Sequence, residues 1–292
     1  MTQRTATVER LTIYPIKSLD GRPVDSADIA PNGGLVGDRE YALFDAEENY
    51  VNGKREQRVH PIRADYTGTT TRAESVTLSR PDGESATFEL GSDGVSAAAD
   101  SADSDTEVMA TWLTDWFEYP VRLQQDTAGG FPDDTTASGP TIISTATIEA
   151  VASWFDGISV NGMRRRLRAN VEVGGVPAFW EDNLFADRDH RVRFSIGGTP
   201  FVGVNPCQRC VVPTRNPDTG EEYAGFQSTF VEQRRKTMPQ WSGGDWFDHD
   251  FRLMVNTAVP EASWGETLSV GDSVVVGERF AADDAYVGVD DG

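Results

Sequence analysis

The chain has 292 residues, a formal net charge of −21 and 38% hydrophobic residues, which is long enough for two domains and apolar enough for a packed core. That charge excludes general binding to nucleic-acid phosphates, which needs a basic footprint, and there is no run of roughly eighteen apolar residues to span a membrane. Three of the 26 basic residues are lysines (Lys17, Lys54 and Lys236), and an acidic, lysine-poor surface suits a cytoplasm at very high salt, where self-repulsion is screened. The N-terminal stretch turns polar before a signal-peptide core can form, so the expected location is cytoplasmic.

Val8 to Tyr14 alternates as a strand with Leu11 and Ile13 on one face, and Pro15 interrupts it ahead of a turn carrying Lys17 and Ser18. Asn32-Gly33-Gly34 is a turn signal, and Gly37-Asp38-Arg39 leads into a short strand at Tyr41 to Phe44. Thr77 to Leu90 reads as two strands split by Pro81-Asp82-Gly83. Residues 91–106 are small and acidic and predict a solvated loop. Val108-Met109, Trp112-Leu113 and Trp116-Phe117 recur at helical spacing, which predicts an amphipathic helix ended by Pro120.

Glycines and prolines from Gly129 to Pro140 suggest a domain boundary, giving domains over 1–130 and 131–280 and an acidic tail over 281–292. Thr141 to Ile143 is a strand candidate, Ser144-Thr145 sits at a helix N-cap, and Ile148, Val151, Ala152 and Phe155 form that helix's buried stripe, stopped at Gly157. Val192, Phe194 and Ile196 alternate, Gly197-Gly198 supplies a hairpin turn, and Phe201 to Val204 returns. Leu268 to Val276 reads as two short strands about Gly271-Asp272. The fold expected is mainly β with a few helices (α+β), with β-barrel cores.

Cys207-Gln208-Arg209-Cys210 holds both cysteines of the chain, too few for a disulfide framework. A C-x-x-C is half of a zinc site, a thioredoxin-like dithiol, or one metal-ligating thiolate beside a non-ligating neighbour. Zinc needs further soft or imidazole ligands, and the three histidines (His60, His190, His249) are scattered. A redox dithiol opens a helix in a βαβ unit, whereas here a strand precedes and a Pro/Gly-rich turn follows. The context permits the single thiolate, and soft thiolates suit redox metals. Three basic clusters accompany it: Lys17-Ser18, Asp38-Arg39, and Arg164 to Asn170 entering the strand Val171 to Val173. Arginine forks match phosphate or carboxylate, although in so acidic a chain each also has surface carboxylates to pair with.

The run Ile13 to Leu19 with Gly37-Asp38-Arg39 resembles the N-terminal β-barrel domain of MOSC proteins. Arg168-Ala169-Asn170, and Cys207 to Cys210 followed by Asn216-Pro217-Asp218-Thr219-Gly220, resemble the MOSC domain itself. The resemblance covers nearly the whole chain in the right order. It implies an N-terminal β-barrel-like domain packed on a MOSC β-barrel domain, with a molybdenum-molybdopterin cofactor between the two and the second cysteine, Cys210, as thiolate ligand to the metal. Lys17, Ser18, Arg39 and Arg168 fall at positions that hold the cofactor's phosphate, Ser144 and Thr145 near a further contact, and Asn170 and Arg209 beside the site. Asp218 and His249 lie in regions that match without an assigned role. The activity implied is reduction of small N-hydroxylated or N-oxide compounds by oxygen-atom transfer. The alternative is a cofactor or sulfur carrier using a Cys210 persulfide. Two cysteines cannot hold a four-thiolate iron–sulfur cluster, so electrons are expected from a separate ferredoxin, flavoprotein or small haem protein.

Overall fold

A computed structural model describes residues 5–69, 72–91, 105–242, 246–247 and 249–282. The acidic stretch 92–104 and the tail from 283 onward, read above as a loop and a tail, lie outside the described residues. In chain order the strands and helices are β1 (Thr7–Ile13), β2 (Arg22–Val24), β3 (Ser26–Asp28), β4 (Tyr41–Phe44), β5 (Arg63–Gly68), β6 (Ala73–Ser79), β7 (Ser85–Glu89) and α1 (Asp105–Phe117). There follow β8 (Arg122–Gln125), β9 (Ile142–Ser144), α2 (Thr145–Ala152), α3 (Val160–Leu167), β10 (Val171–Gly174), β11 (His190–Ile196), β12 (Thr199–Gln208), α4 (Phe226–Thr237), β13 (Arg252–Ala258), β14 (Thr267–Ser269) and β15 (Val274–Ala281). No described helix is long and apolar enough to cross a membrane.

The fold is mainly β with a few helices, as the alternating segments predict. Eight strands form one sheet in the order β15-β11-β12-β13-β9-β10-β1-β2. Only the β9–β10 pair is parallel among those ladders. The sheet curls until its ends meet: Thr7 bridges Ser273, Val8 N donates to Asp272 O at 2.8 Å, and Val274 N donates to Ala6 O at 2.8 Å. These isolated bonds join the roll where a closed barrel would carry a full ladder. The inner face holds one core, including Leu11, Ile13, Ile142, Val171, Phe201 and Val255. A second core lies among β4 to β8 and α1, with Trp112, Leu113 and Phe117 supplying the helix face and Val108 left 48% exposed. A third packs α2, α3 and α4 on the outside of the sheet.

The first two strands join the same sheet as β9 to β13, with β1 pairing β10 over Thr7–Gly174 to Leu11–Val171. Asn170 pins this junction. Its side chain donates to Thr12 O at 3.1 Å and accepts from Thr141 N at 3.2 Å and Thr141 Oγ1 at 3.1 Å. Thus the first-half turn with Lys17 and the second-half strands that carry the cysteines are parts of one hydrogen-bonded frame. Gly203 in β12 runs so close to the chain beneath it that a Cβ there would overlap the Leu184 carbonyl oxygen. Gly203→Ala is therefore expected to cost more than about 2 kcal/mol, because a backbone carbonyl cannot yield as a side chain can. A denaturation midpoint within error of wild type would contradict this.

Glu181 is fully buried beneath α2, accepting from Ser144 N at 3.2 Å and Thr147 Oγ1 at 2.9 Å, while its other oxygen has no partner among the described residues. Burial, with Asp182 adding repulsion, pushes its carboxyl up to about 7. A folded-state value above the unfolded one means that the native state binds the proton more tightly. Its contribution is therefore fully present below the ordinary carboxylate range and is lost as pH rises through about 7. The loss should amount to about 3 kcal/mol. Glu181→Gln should flatten the pH dependence of unfolding free energy between about pH 5 and 7; an unchanged slope would remove Glu181 as its source.

Candidate functional site

One cavity of about 870 Å³ opens where the turn after β1, the 30–40 loop, the 126–141 loop, the end of α3 and the end of β12 converge. Lys17, Ser18, Arg39, Arg168, Asn170, Arg209 and Cys210 all line it, so seven positions singled out in the sequence meet at one wall. Its size lies within the range of small-molecule and cofactor sites.

Lys17 is buried, and its ammonium donates to Phe131 O at 2.8 Å and Asp133 Oδ1 at 2.6 Å. Burial lowers its pKa, and Asp133 partly restores it. Arg39 pairs with Asp38 and reaches Asp133 Oδ2 at 3.7 Å, with its guanidinium over the Tyr14 ring at 5.5 Å. Asp38 in turn accepts from Tyr14 N at 2.7 Å, locking the turn after β1. The Asp133 side chain is open to the cavity and 74% exposed, yet protein surrounds it closely enough that desolvation would raise its pKa. Arg39 and Lys17 overcome that and hold the carboxyl down at about 2. A carboxylate thus sits between the two cations at the position where a bound anion would compete.

Arg168 also lies over the Tyr14 ring, 4.2 Å from its centroid, and donates to Leu19 O at 2.7 Å. It caps α3 in the left-handed conformation at φ 59°. Glycine is the cheaper residue at such a cap, so Arg168 carries a backbone cost that glycine would not. Ser18, Arg39 and Met254 also have positive φ, so four of the seven such non-glycine residues among those described line this one cavity. Strained backbone of this kind gathers at functional sites.

Cys207 and Cys210 differ in environment although two residues separate them. Cys207 ends β12 inside the third core, 4% exposed, and its thiol donates to Asn256 Oδ1 at 2.6 Å. Burial pushes its pKa up to about 12, so it stays a neutral thiol. Cys210 lies just past the strand, exposed, on the cavity wall. The alternation of β12 puts one cysteine into the core, and the following turn turns the other outward. Between them Arg209 donates to Leu167 O at 3.0 Å and Met254 Sδ at 3.4 Å.

The arginine run sorts itself by partner. Arg164 forms a bidentate pair with Glu172 at 2.6 and 3.0 Å, and Arg165 pairs with Asp218 at 2.8 Å. Arg166 and Arg168, like Arg209 and Arg215, hydrogen-bond to backbone carbonyls, and none of these four forms an ion pair among the described residues. In a chain with 47 acidic residues, four guanidinium groups without an ion-pair partner give this cavity a positive wall, the kind of surface that suits an anion.

Ser144 and Thr145 are not brought together with the other singled-out residues, since neither lines the cavity. Ser144 is buried at the N-cap of α2, accepting from Thr147 N at 3.1 Å, and Thr145 donates to Glu9 Oε2 at 2.7 Å at the surface. The N-cap is Ser144, and Thr145, the first residue of α2, is occupied by Glu9. Asp218 and His249 also stand outside the wall, Asp218 against Arg165 and His249 beside Gln208 at 2.9 Å. The sequence assigns no site role to Asp133, His60, Arg215, Met254 and Asn256, all in the wall, and marks Arg166 only as part of the basic run. Arg215 follows the cysteine motif closely and could have been included; Asp133 sits in a loop with no periodic signal.

Residues 5–120 match the family model described as MOSC N-terminal beta barrel domain. The chain is 26% identical to "Mitochondrial amidoxime-reducing component 1" of Homo sapiens, over 75% of this chain and 68% of that protein. It is 25% identical to the protein of the same name from Xenopus laevis, again over 75% and 68%. The MOSC resemblance read from the motifs is borne out by these matches.

Proposed function

We propose that this chain is a molybdenum-cofactor-dependent oxidoreductase that reduces N-hydroxylated or N-oxide compounds by oxygen-atom transfer, with Cys210 as its thiolate ligand to the metal. The observation that carries this reading is the exposed thiol of Cys210 sharing one cavity with Lys17, Arg39, Arg168 and Arg209. A soft donor and several hard cationic donors facing the same space fit a group that is part metal and sulfur, part phosphate. Among the described residues no three His, Cys, Asp or Glu side chains cluster to hold a metal. A cofactor that brings its own ligands suits a metal at Cys210 better than a zinc site built from protein side chains.

In this reading Lys17 and Arg39 exchange Asp133 for the cofactor's phosphate, with Ser18 beside them, and Arg168 and Arg209 add positive charge along the same wall. Asn170 positions the wall by tying β1 to the chain ahead of β9. When bound, the cofactor supplies the two-electron chemistry, and the protein supplies binding and orientation. The names of the relatives, amidoxime-reducing components, support the substrate class. Electrons would come from a separate ferredoxin, flavoprotein or small haem protein in a high-salt cytoplasm.

The test is metal and pterin analysis of protein purified at high salt, followed by reduction of neutral benzamidoxime with an artificial reductant. Near-stoichiometric molybdenum with turnover is the result expected. Extra sulfur on Cys210 without turnover would favour the persulfide carrier, and protein made in its native cytoplasm without molybdenum or pterin would sink the enzyme reading.

A further inference from the structure

Beyond Arg168 the cavity wall carries a second set of nitrogen donors, His60, Arg166 and Arg215, that the phosphate cradle does not use. His60 Nε2 and Arg215 Nη1 converge on the Gly53 carbonyl, at 2.9 and 2.8 Å. Arg166 Nη1 donates to Pro213 O at 3.0 Å and to the Arg215 carbonyl. The three side chains are thus linked through two stretches of backbone, one before β5 and one after Cys210.

Every acceptor in that linkage is a neutral carbonyl. The nearby carboxylates are engaged elsewhere: Asp218 pairs with Arg165 at 2.8 Å and Asp20 with Arg63 at 3.1 Å. Arg166 is only 5% exposed, and burial brings its pKa down to about 10, with Asp218, itself paired to Arg165, restoring only part of it. Burying a guanidinium beside neutral acceptors alone is costly, and a bound anion would relieve that cost.

This group shares no hydrogen-bond partner with Lys17 or Arg39, although Arg168 comes near enough to His60 to lower its pKa. Lys17 and Arg39 converge on Asp133, and Arg39 and Arg168 lie against the same Tyr14 ring. Arg215 instead follows Cys210 along the turn through Val211 and Val212, which also line the cavity. An anion held by His60, Arg166 and Arg215 would therefore meet a different set of donors from one held at Lys17 and Arg39.

We propose that His60, Arg166 and Arg215 form a subsite for an anionic substituent, carboxylate or phosphate, on the N-oxygenated substrate; the assignment to substrate rests on the function proposed above. Two guanidinium forks and an imidazole suit either oxyanion.

The test compares kcat/KM of the loaded enzyme for benzamidoxime, 4-carboxybenzamidoxime and 4-phosphonobenzamidoxime at one ionic strength. Wild type should favour an anionic compound over the neutral one by at least about tenfold, and the better of the two names the oxyanion. Arg215→Gln should bring that ratio close to one, Arg215→Lys should restore part of it, and His60→Gln serves as a second variant should Arg215→Gln fold poorly. A ratio near one in wild type, or a ratio that survives both Arg215→Gln and His60→Gln, overturns the proposal. Calorimetry with 4-carboxybenzamide, 4-phosphonobenzamide and benzamide keeps the question separate from turnover. If no amidoxime is reduced, the enzyme reading fails, while tighter binding of an anionic amide that Arg215→Gln abolishes still establishes the subsite, and equal binding of all three rejects it.

Discussion

Cys210→Ser is expected to remove bound molybdenum or to leave it catalytically dead, lowering turnover by at least about 100-fold, because serine is a hard and weakly acidic ligand where a soft thiolate is needed. The thiol is exposed and belongs to no core, so the same change should move stability by less than about 0.5 kcal/mol. Cys207→Ser should do the opposite. It sets a hydroxyl among apolar neighbours and alters the contact to Asn256, so stability should drop by about 1 kcal/mol or more while molybdenum stays bound. Metal analysis and denaturation of the two variants side by side separate the roles. Equal loss of metal in both would mean that the cysteines act as a pair, and the single-ligand assignment would be wrong.

The largest loss of stability should come from Arg234→Met. Arg234 is fully buried in α4, with Nη2 2.6 Å from Asp182 Oδ1, Nε donating to Arg252 O at 3.2 Å, and its guanidinium 5.0 Å from the Phe179 ring centroid. Burial raises the pKa of Asp182 and Arg234 pulls it back. Without Arg234 a buried carboxylate loses its counter-ion beside Glu181, which is itself short of partners. Removing one member of such a pair costs about 3–5 kcal/mol. Because Arg234 also holds β13, which carries Met254 and Asn256 into the cavity wall, the damage should extend to the site. The double variant Arg234→Met with Asp182→Asn should recover part of the loss, since the cost lies chiefly in the orphaned charge. A single variant within about 1 kcal/mol of wild type would show that water reaches the pair.

The two experiments probe different parts of the structure. Cys210 reports on the cavity, where groups are strained, exposed or short of counter-ions. Arg234 reports on the frame, where polar groups are buried and mostly satisfied. A destabilised frame with an intact metal site, or the reverse, would show how far the two can be uncoupled.

Period and punctuation alone determined much of this protein. Alternation located β1 and β11, the short apolar run after Gly37-Asp38-Arg39 marked β4, the Gly197-Gly198 turn joined β11 to β12, and helical spacing located α1 and α2, because hydrophobic periodicity and turn chemistry are local. The motifs also named most of the cavity wall, since a soft thiol and clustered cations are visible as residue types. The helix α3 went unread because its sequence, VNGMRRRL, is dominated by charge, and only Met163, Arg166 and Leu167 are buried there. Tertiary structure decided the rest. Which of the two cysteines lining the cavity is exposed depends on where β12 ends. Which arginines lack a carboxylate depends on where distant acids fall, as Glu172 and Asp218 neutralise Arg164 and Arg165 but leave Arg166 and Arg168. Ser144 and Thr145 were drawn to the site by position in the chain, and the fold directed them to a helix cap and to Glu9 instead. The choice of partner among 47 acidic residues is a long-range matter of packing, and no local pattern encodes it.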